Sequence, residues 1–297
     1  MNTISEVKQA KILVIGGTGV VGSYIVEHLV RRGERPFVLS RSQRDGPGIE
    51  WIRGDMTEPE ALNLPAITTL YCTADAVLLA NILPQLCSPT LKRLVVFTST
   101  SVITKQDTEI VAERESLRKL AEAEQTIATV CEQHGIGWTI LRPTLIYKEG
   151  RDTNITPLSR LIRRFGFMPL VGGGPGLRQP VHAEDLAIGA IAAAASPAAI
   201  NKLYSLPGPE TVSYREMIGR IFDGLRLPRR MIPVSPLLWR IAFALAKPLF
   251  PGANVAMGIR MMKDMTFDAT PAVRDFGWNP GFPSHVRFRA RPALINP

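Results

Sequence analysis

Cysteine is scarce in this chain of 297 residues: Cys72, Cys87 and Cys131 are the full set. Their number is odd and no C-x-x-C spacing occurs, which excludes a disulfide framework and a thiolate metal cluster and fits a reducing, cytoplasmic setting. Long apolar runs are missing too. The longest, Leu186–Ala195, falls far short of the roughly 20 residues needed to span a bilayer. The first eleven residues are polar, so no cleavable signal is expected. Aromatic residues make up 7% of the chain and do not interleave with the basic clusters at 160–164, 226–230 and 287–291. A net charge of +9 therefore points to anionic small molecules rather than to nucleic acid. Neither an internal repeat nor a low-complexity tract is present.

The strongest positive signal is the stretch 11–33, KILVIGGTGVVGSYIVEHLVRRG. Lys11–Ile15 reads as a buried parallel strand, and Ser23–Arg32 as a helix with Ile25, Val26, Leu29 and Val30 on one face. Between them Gly16, Gly17, Gly19 and Gly22 satisfy both G-x-x-G-x-x-G and G-x-G-x-x-G. One glycine makes the tight turn, one lets backbone amides approach a pyrophosphate, and Gly22 lets the helix pack closely on the strand. The segment Gly16, Gly17, Thr18, Gly19, Val20, Val21 and Gly22 is thus the expected cofactor cradle, facing the diphosphate with the positive end of the helix.

Strands and helices go on alternating. Strands are expected at 36–40, 50–53, 68–72, 93–98 and 138–142, with helices at 76–87 and 109–134. Such alternation over about 145 residues implies an α/β, Rossmann-type, doubly wound parallel sheet. Beyond Pro143 the texture changes to Gly- and Pro-rich loops, including 172–176 (GGGPG), read either as a surface hairpin or as a loop over a ligand. A helix at 186–199, a strand at 202–206 and a helix at 214–225 capped by Thr211 or Ser213 follow. The expected division is a dinucleotide-binding domain over 1–150, with returning segments from 178–206, and a smaller C-terminal substrate lobe over most of 151–297.

Five further motifs, in order, carry a family resemblance: G-D at 54–55, F-T-S-T-S-V at 97–102, L-R-P-T-L-I-Y at 141–147, R-Q-P-V-H-A-E-D-L-A at 178–187 and D-F-G-W-N-P at 275–280. With the glycine motif they resemble the extended and atypical short-chain dehydrogenase/reductases, in the nucleotide-sugar epimerase-like branch. The resemblance implies a nicotinamide cofactor lying across the strand ends, with a small-molecule substrate between sheet and lobe. It implies that Asp55 and Met56 lie at the adenine, Thr98 and Ser99 beside the nicotinamide, and Pro143 and Thr144 under its ribose or carboxamide. Arg178 and Tyr147 are the implied substrate contacts. Asp55 also reads as a simple turn residue, and Pro143 as a strand breaker.

Charge argues the choice of cofactor. The second strand ends at Ser40-Arg41-Ser42 with Arg44 close behind, and no carboxylate is there to bond a ribose 2′-hydroxyl. A guanidinium flanked by hydroxyls suits a 2′-phosphate, which favours NADP(H) over NAD(H). The catalytic Tyr-x-x-x-Lys of the family is absent, because residues 109–134 contain no tyrosine. One alignment puts Ser116 and Leu120 at the two places; a shift of one puts Glu115 and Lys119 there, alternatively an ordinary ion pair on a solvated helix face. Ser99 is left as the main catalytic candidate. The expected activity is hydride transfer on a carbonyl, hydroxyl or nucleotide-sugar substrate, and the alternatives are a catalytically silent nucleotide-binding subunit or redox sensor and an epimerase with tightly held cofactor. His182 reads as a structural histidine. Residues 237–250 read as an amphipathic segment for a lobe cover, a subunit contact or a peripheral membrane contact. No metal site is expected, and the oligomeric state is left open.

Overall fold

The computed structural model describes residues 11–106, 108–246 and 255–281; the side chains of 242–246, 255 and 257 are outside the description. The chain forms two compact units. Among the described residues, the first is drawn from 11–142, 184–205 and 270–278; the second from 143–183, 206–269 and 279–281. The division falls at 142/143 rather than at 150, and the late segment 270–278, expected in the lobe, returns to the first unit.

In the first unit the elements run β1 (Ile12–Ile15), α1 (Gly22–Arg31), β2 (Phe37–Ser40), β3 (Glu50–Arg53), β4 (Thr69–Cys72), α2 (Ala76–Leu86), β5 (Arg93–Phe97), α3 (Val111–Gln133), β6 (Gly137–Pro143), α4 (Ala183–Ala195) and β7 (Lys202–Leu206). They build one seven-stranded sheet in the order β7-β6-β5-β4-β1-β2-β3. Every pairing from β3 to β6 is parallel. The strand order reverses between β1 and β4, the switch point at which such sheets bind nucleotides. β1 and β5 are buried along their whole length, which is why they read as largely apolar runs rather than alternating ones. The core below them includes Leu13, Leu70, Leu79, Leu83, Leu94 and Ile127.

One departure from the sequence reading has a local cause. α4 starts at Ala183 and stops at Ala195, not at 199, because Pro197 holds Ser196 extended and has no N–H to give. The carbonyls of Ala193 and Ala194 at that helix end are taken by Arg93, whose buried guanidinium also bonds the Gly137 carbonyl at 2.9 Å and the Thr139 hydroxyl.

The second unit packs a helix, Ile155–Phe165, and a second, Tyr214–Gly224, around a core of Ile162, Leu170, Ile218 and Phe222. Ser213 is the N-cap of the second helix, accepting from the Glu216 amide. A parallel strand pair, Met168–Val171 with Met231–Val234, lies beside them. The 172–176 run is a bonded turn in this unit: Gly172, Gly173 and Gly174 all have left-handed φ, and the amides of Gly172 and Gly176 donate to the carbonyls of Val234 and Met261.

Candidate functional site: a glycine cradle at the switch point

The loop after β1 is closed by the Gly19 amide donating to the Gly16 carbonyl at 2.8 Å. Gly16 has φ +81°, and a Cβ there would lie 2.6 Å from the Thr73 hydroxyl. A Cβ on Gly22 would lie 2.2 Å from the Gly16 carbonyl oxygen, so this glycine lets α1 press on the turn itself. Close packing of helix on sheet falls instead to Gly17, wedged between Val38 and Val26. Thr73, at the end of β4, ties the loop down by donating to Gly16; no motif in the sequence pointed to it.

The helix start is left open. Val21 stands at the N-cap with no side-chain cap, and the first turn carries no acid. Among the described residues the amides of Val20, Val21 and Gly22 make no backbone hydrogen bond. Three free donors at the positive end of a helix suit a diphosphate. The residues present therefore fit a dinucleotide.

At the end of β2 the Ser40 hydroxyl donates to the Ser42 carbonyl at 2.9 Å and accepts from its amide, folding the turn so that Arg41 is exposed. The Arg44 guanidinium lies 5.7 Å from the Trp51 ring centroid. Asp55 accepts from the Thr57 amide at 3.0 Å. These bonds from Thr57, with the charge of Arg41 added, hold its carboxyl below the usual carboxylate range. Met56 beside it is buried.

At the end of β5 the Thr98 hydroxyl donates to Glu124 at 2.6 Å, and Arg142 grips the same carboxylate through two nitrogens, Nε at 2.9 Å. Glu124 is only 4% exposed, so a side chain that read as part of a charged helix is a buried ion pair. The Ser99 hydroxyl accepts from the Ser101 amide at 3.1 Å. Glu115 and Lys119 are 3.8 Å apart on the exposed face of α3, and Arg118 bonds Glu115 more closely, at 2.7 Å. That bond lowers the Glu115 pKa, the reverse of what a proton donor at neutral pH needs. Ser116 is exposed and Leu120 half-buried.

The remaining candidates belong to the second unit. Thr144 donates to the Gln179 carbonyl, and Pro143 is buried. Tyr147 is buried, its ring centroid 5.1 Å from that of His182, and His182 lies 3.6 Å from Glu149. Arg178 is 5% exposed. Its guanidinium donates to the carbonyls of Leu177, Lys263 and Arg260 and stacks 5.5 Å from the Tyr214 ring centroid. It is committed to its own unit's backbone, not presented as a free cation. Burial pushes the thiols of Cys72 and Cys131 up to about 12, so both are neutral core groups.

Residues 16–162 match the family model described as NAD(P)H-binding. An NAD(P)-binding domain thus occupies these residues. The chain is 26% identical over 272 residues to subunit 9 of the NADH dehydrogenase [ubiquinone] 1 alpha subcomplex of Arabidopsis thaliana, a match covering 82% of the chain and 64% of the plant protein. It is 24% identical over 316 residues to the 2-alkyl-3-oxoalkanoate reductase of Stenotrophomonas maltophilia, covering 91% and 94% of the two chains. Among solved structures, the UDP-glucose 4-epimerase of Thermus thermophilus with NAD matches at TM-score 0.70 and 17% identity, covering 94% of this chain and 97% of that one. The UDP-glucuronic acid 4-epimerase of Bacillus cereus matches at 0.71 and 14%, with the same coverage. At such identities these two establish the short-chain dehydrogenase fold alone.

Proposed function

We propose that the protein is an atypical extended short-chain dehydrogenase/reductase that binds NADP(H) in preference to NAD(H) and reduces or oxidises a small carbonyl or hydroxyl compound, nucleotide sugars included. The carrying observation is the uncapped, acid-free start of α1 beside an exposed Arg41 with no carboxylate at the end of β2. The amides of Val20, Val21 and Gly22 hold the diphosphate; Arg41, with Arg44 behind it, takes the 2′-phosphate. A bound nicotinamide supplies the hydride. Thr98 is fixed by Glu124 and Arg142, and Ser99 beside it is the hydroxyl for the substrate oxygen. With no tyrosine on α3, the proton comes from water.

The same missing tyrosine favours a second reading, a silent nucleotide-binding subunit. Titration of ligand-stripped protein with NADPH and NADH tests the first half of the proposal. NADPH is expected to bind at least tenfold tighter, and Arg41→Ala to remove that margin while leaving NADH unchanged. An unaltered preference in the variant refutes the assignment of Arg41. NADPH oxidation across a carbonyl panel decides the second half: tight binding without turnover of any member supports the silent subunit.

A further inference from the structure

Two stretches of the second unit, 153–183 and 224–263, contain no aspartate or glutamate, yet carry eleven arginines and lysines between them. Within the same two stretches lie eight of the fourteen large apolar side chains that are exposed among the described residues. Exposed apolar groups scattered singly need no explanation, but apolar groups concentrated where one sign of charge has been removed do.

Local structure turns them outward. The helix Pro236–Ala246 starts directly after the strand Met231–Val234, and its Trp239 points inward, half-buried against the core and crowding Gly258. At 100° per residue Leu237, Leu238 and Ile241 fall in one narrow arc opposite Trp239, and they are 68%, 61% and 50% exposed. Arg240 lies at the edge of that arc and is exposed as well. The strand pair carries the pattern on. Met168 bonds the Arg230 carbonyl, which sets Phe167 beside Arg230 at one end of the pair, and Ile232 is exposed along it. Phe165, half exposed, closes the neighbouring helix next to Arg163 and Arg164. Among the described residues, Arg163, Arg164, Arg230 and Arg240 form no ion pair, so their charge is not neutralised within the fold.

We infer that this face of the second unit docks on an anionic lipid bilayer. Leucine, isoleucine and phenylalanine side chains enter the boundary between headgroups and acyl chains, while the surrounding arginines meet lipid phosphates. A second copy is the poorer occupant, since a two-fold contact sets arginine-rich surface against itself. An acidic protein would satisfy the cations but not the aliphatic side chains that project furthest.

Co-sedimentation of the full chain with vesicles tests this, with a readout that does not involve the nucleotide. The protein is expected to pellet with phosphatidylcholine vesicles containing phosphatidylglycerol, not with phosphatidylcholine alone, and to be released by salt. Arg163→Ala with Arg164→Ala is expected to weaken binding about thirtyfold, at ~1 kcal/mol per cation. Leu237→Ser with Leu238→Ser changes only exposed positions and is expected to abolish pelleting. Circular dichroism melts of both variants should match the parent. Three outcomes overturn the inference: no pelleting with either vesicle, equal pelleting with both, or a dimer that Leu237→Ser with Leu238→Ser dissociates while vesicles capture nothing.

Discussion

At Gly22 one methyl group separates a working cradle from a blocked one. The Cβ of Gly22→Ala would meet a backbone oxygen at 2.2 Å, which cannot swing aside as a side chain can. The variant is expected to cost about 1–3 kcal/mol in denaturant melts, as overpacking does, and to weaken dinucleotide binding at least tenfold by calorimetry. Glu124 makes the opposite case, a residue whose removal leaves others stranded. Glu124→Ala deprives the largely buried Arg142 of its counter-charge and Thr98 of its acceptor. A loss of about 3–5 kcal/mol in urea unfolding is expected, with Glu124→Gln intermediate because the amide oxygen still accepts. That a glycine is needed at position 22 was legible from the spacing, but not that its neighbour is the turn rather than the strand. Glu124 was not, because the pairing with Arg142 joins a helix to a strand and becomes visible only when the two elements pack.

Elements whose periodicity is strict were read closely: β3, β7 and α2 fall within a residue of expectation, as alternating or buried apolar patterns allow. The helix that follows Pro143 and the short strands of the second unit were not read, since two-residue pairings such as Val181–His182 with Ile146–Tyr147 leave no period to detect. The helix Thr270–Phe276 also escaped notice, although it anchors the first unit. There Asp275 accepts from Lys202 at 2.8 Å and from the Tyr204 hydroxyl at 2.6 Å, with Arg274 at 2.7 Å. Bonds from Arg274 first, then Lys202 and Tyr204, hold its carboxyl far below the usual carboxylate range. A carboxyl depressed in the folded state stabilises above its unfolded pKa, about 3.9, and loses that contribution as pH falls towards its folded value. The melting temperature of Asp275→Asn is therefore expected to lie below the parent's by a constant amount from pH 7 to pH 5, and the gap to close below about pH 4.

The whole molecule separates two kinds of surface by unit. In the first unit Arg93 bonds the end of α4, and the start of α1 is left uncapped. The second holds the long acid-free stretches and eight of the fourteen large apolar side chains exposed among the described residues. Family motifs reported the first because nucleotide binding constrains backbone geometry, which leaves glycines in the sequence. The second leaves only a bias in composition, and the same bias is compatible with a buried face until exposure is measured. One contact ties late residues to early ones: Trp278 is 3% exposed and lies against Gly189 of α4, in a unit whose sheet begins at Ile12. A ribosome must therefore have made the chain as far as Trp278 before the unit that starts at Ile12 can close, and shorter nascent chains leave the bed of Trp278 bare.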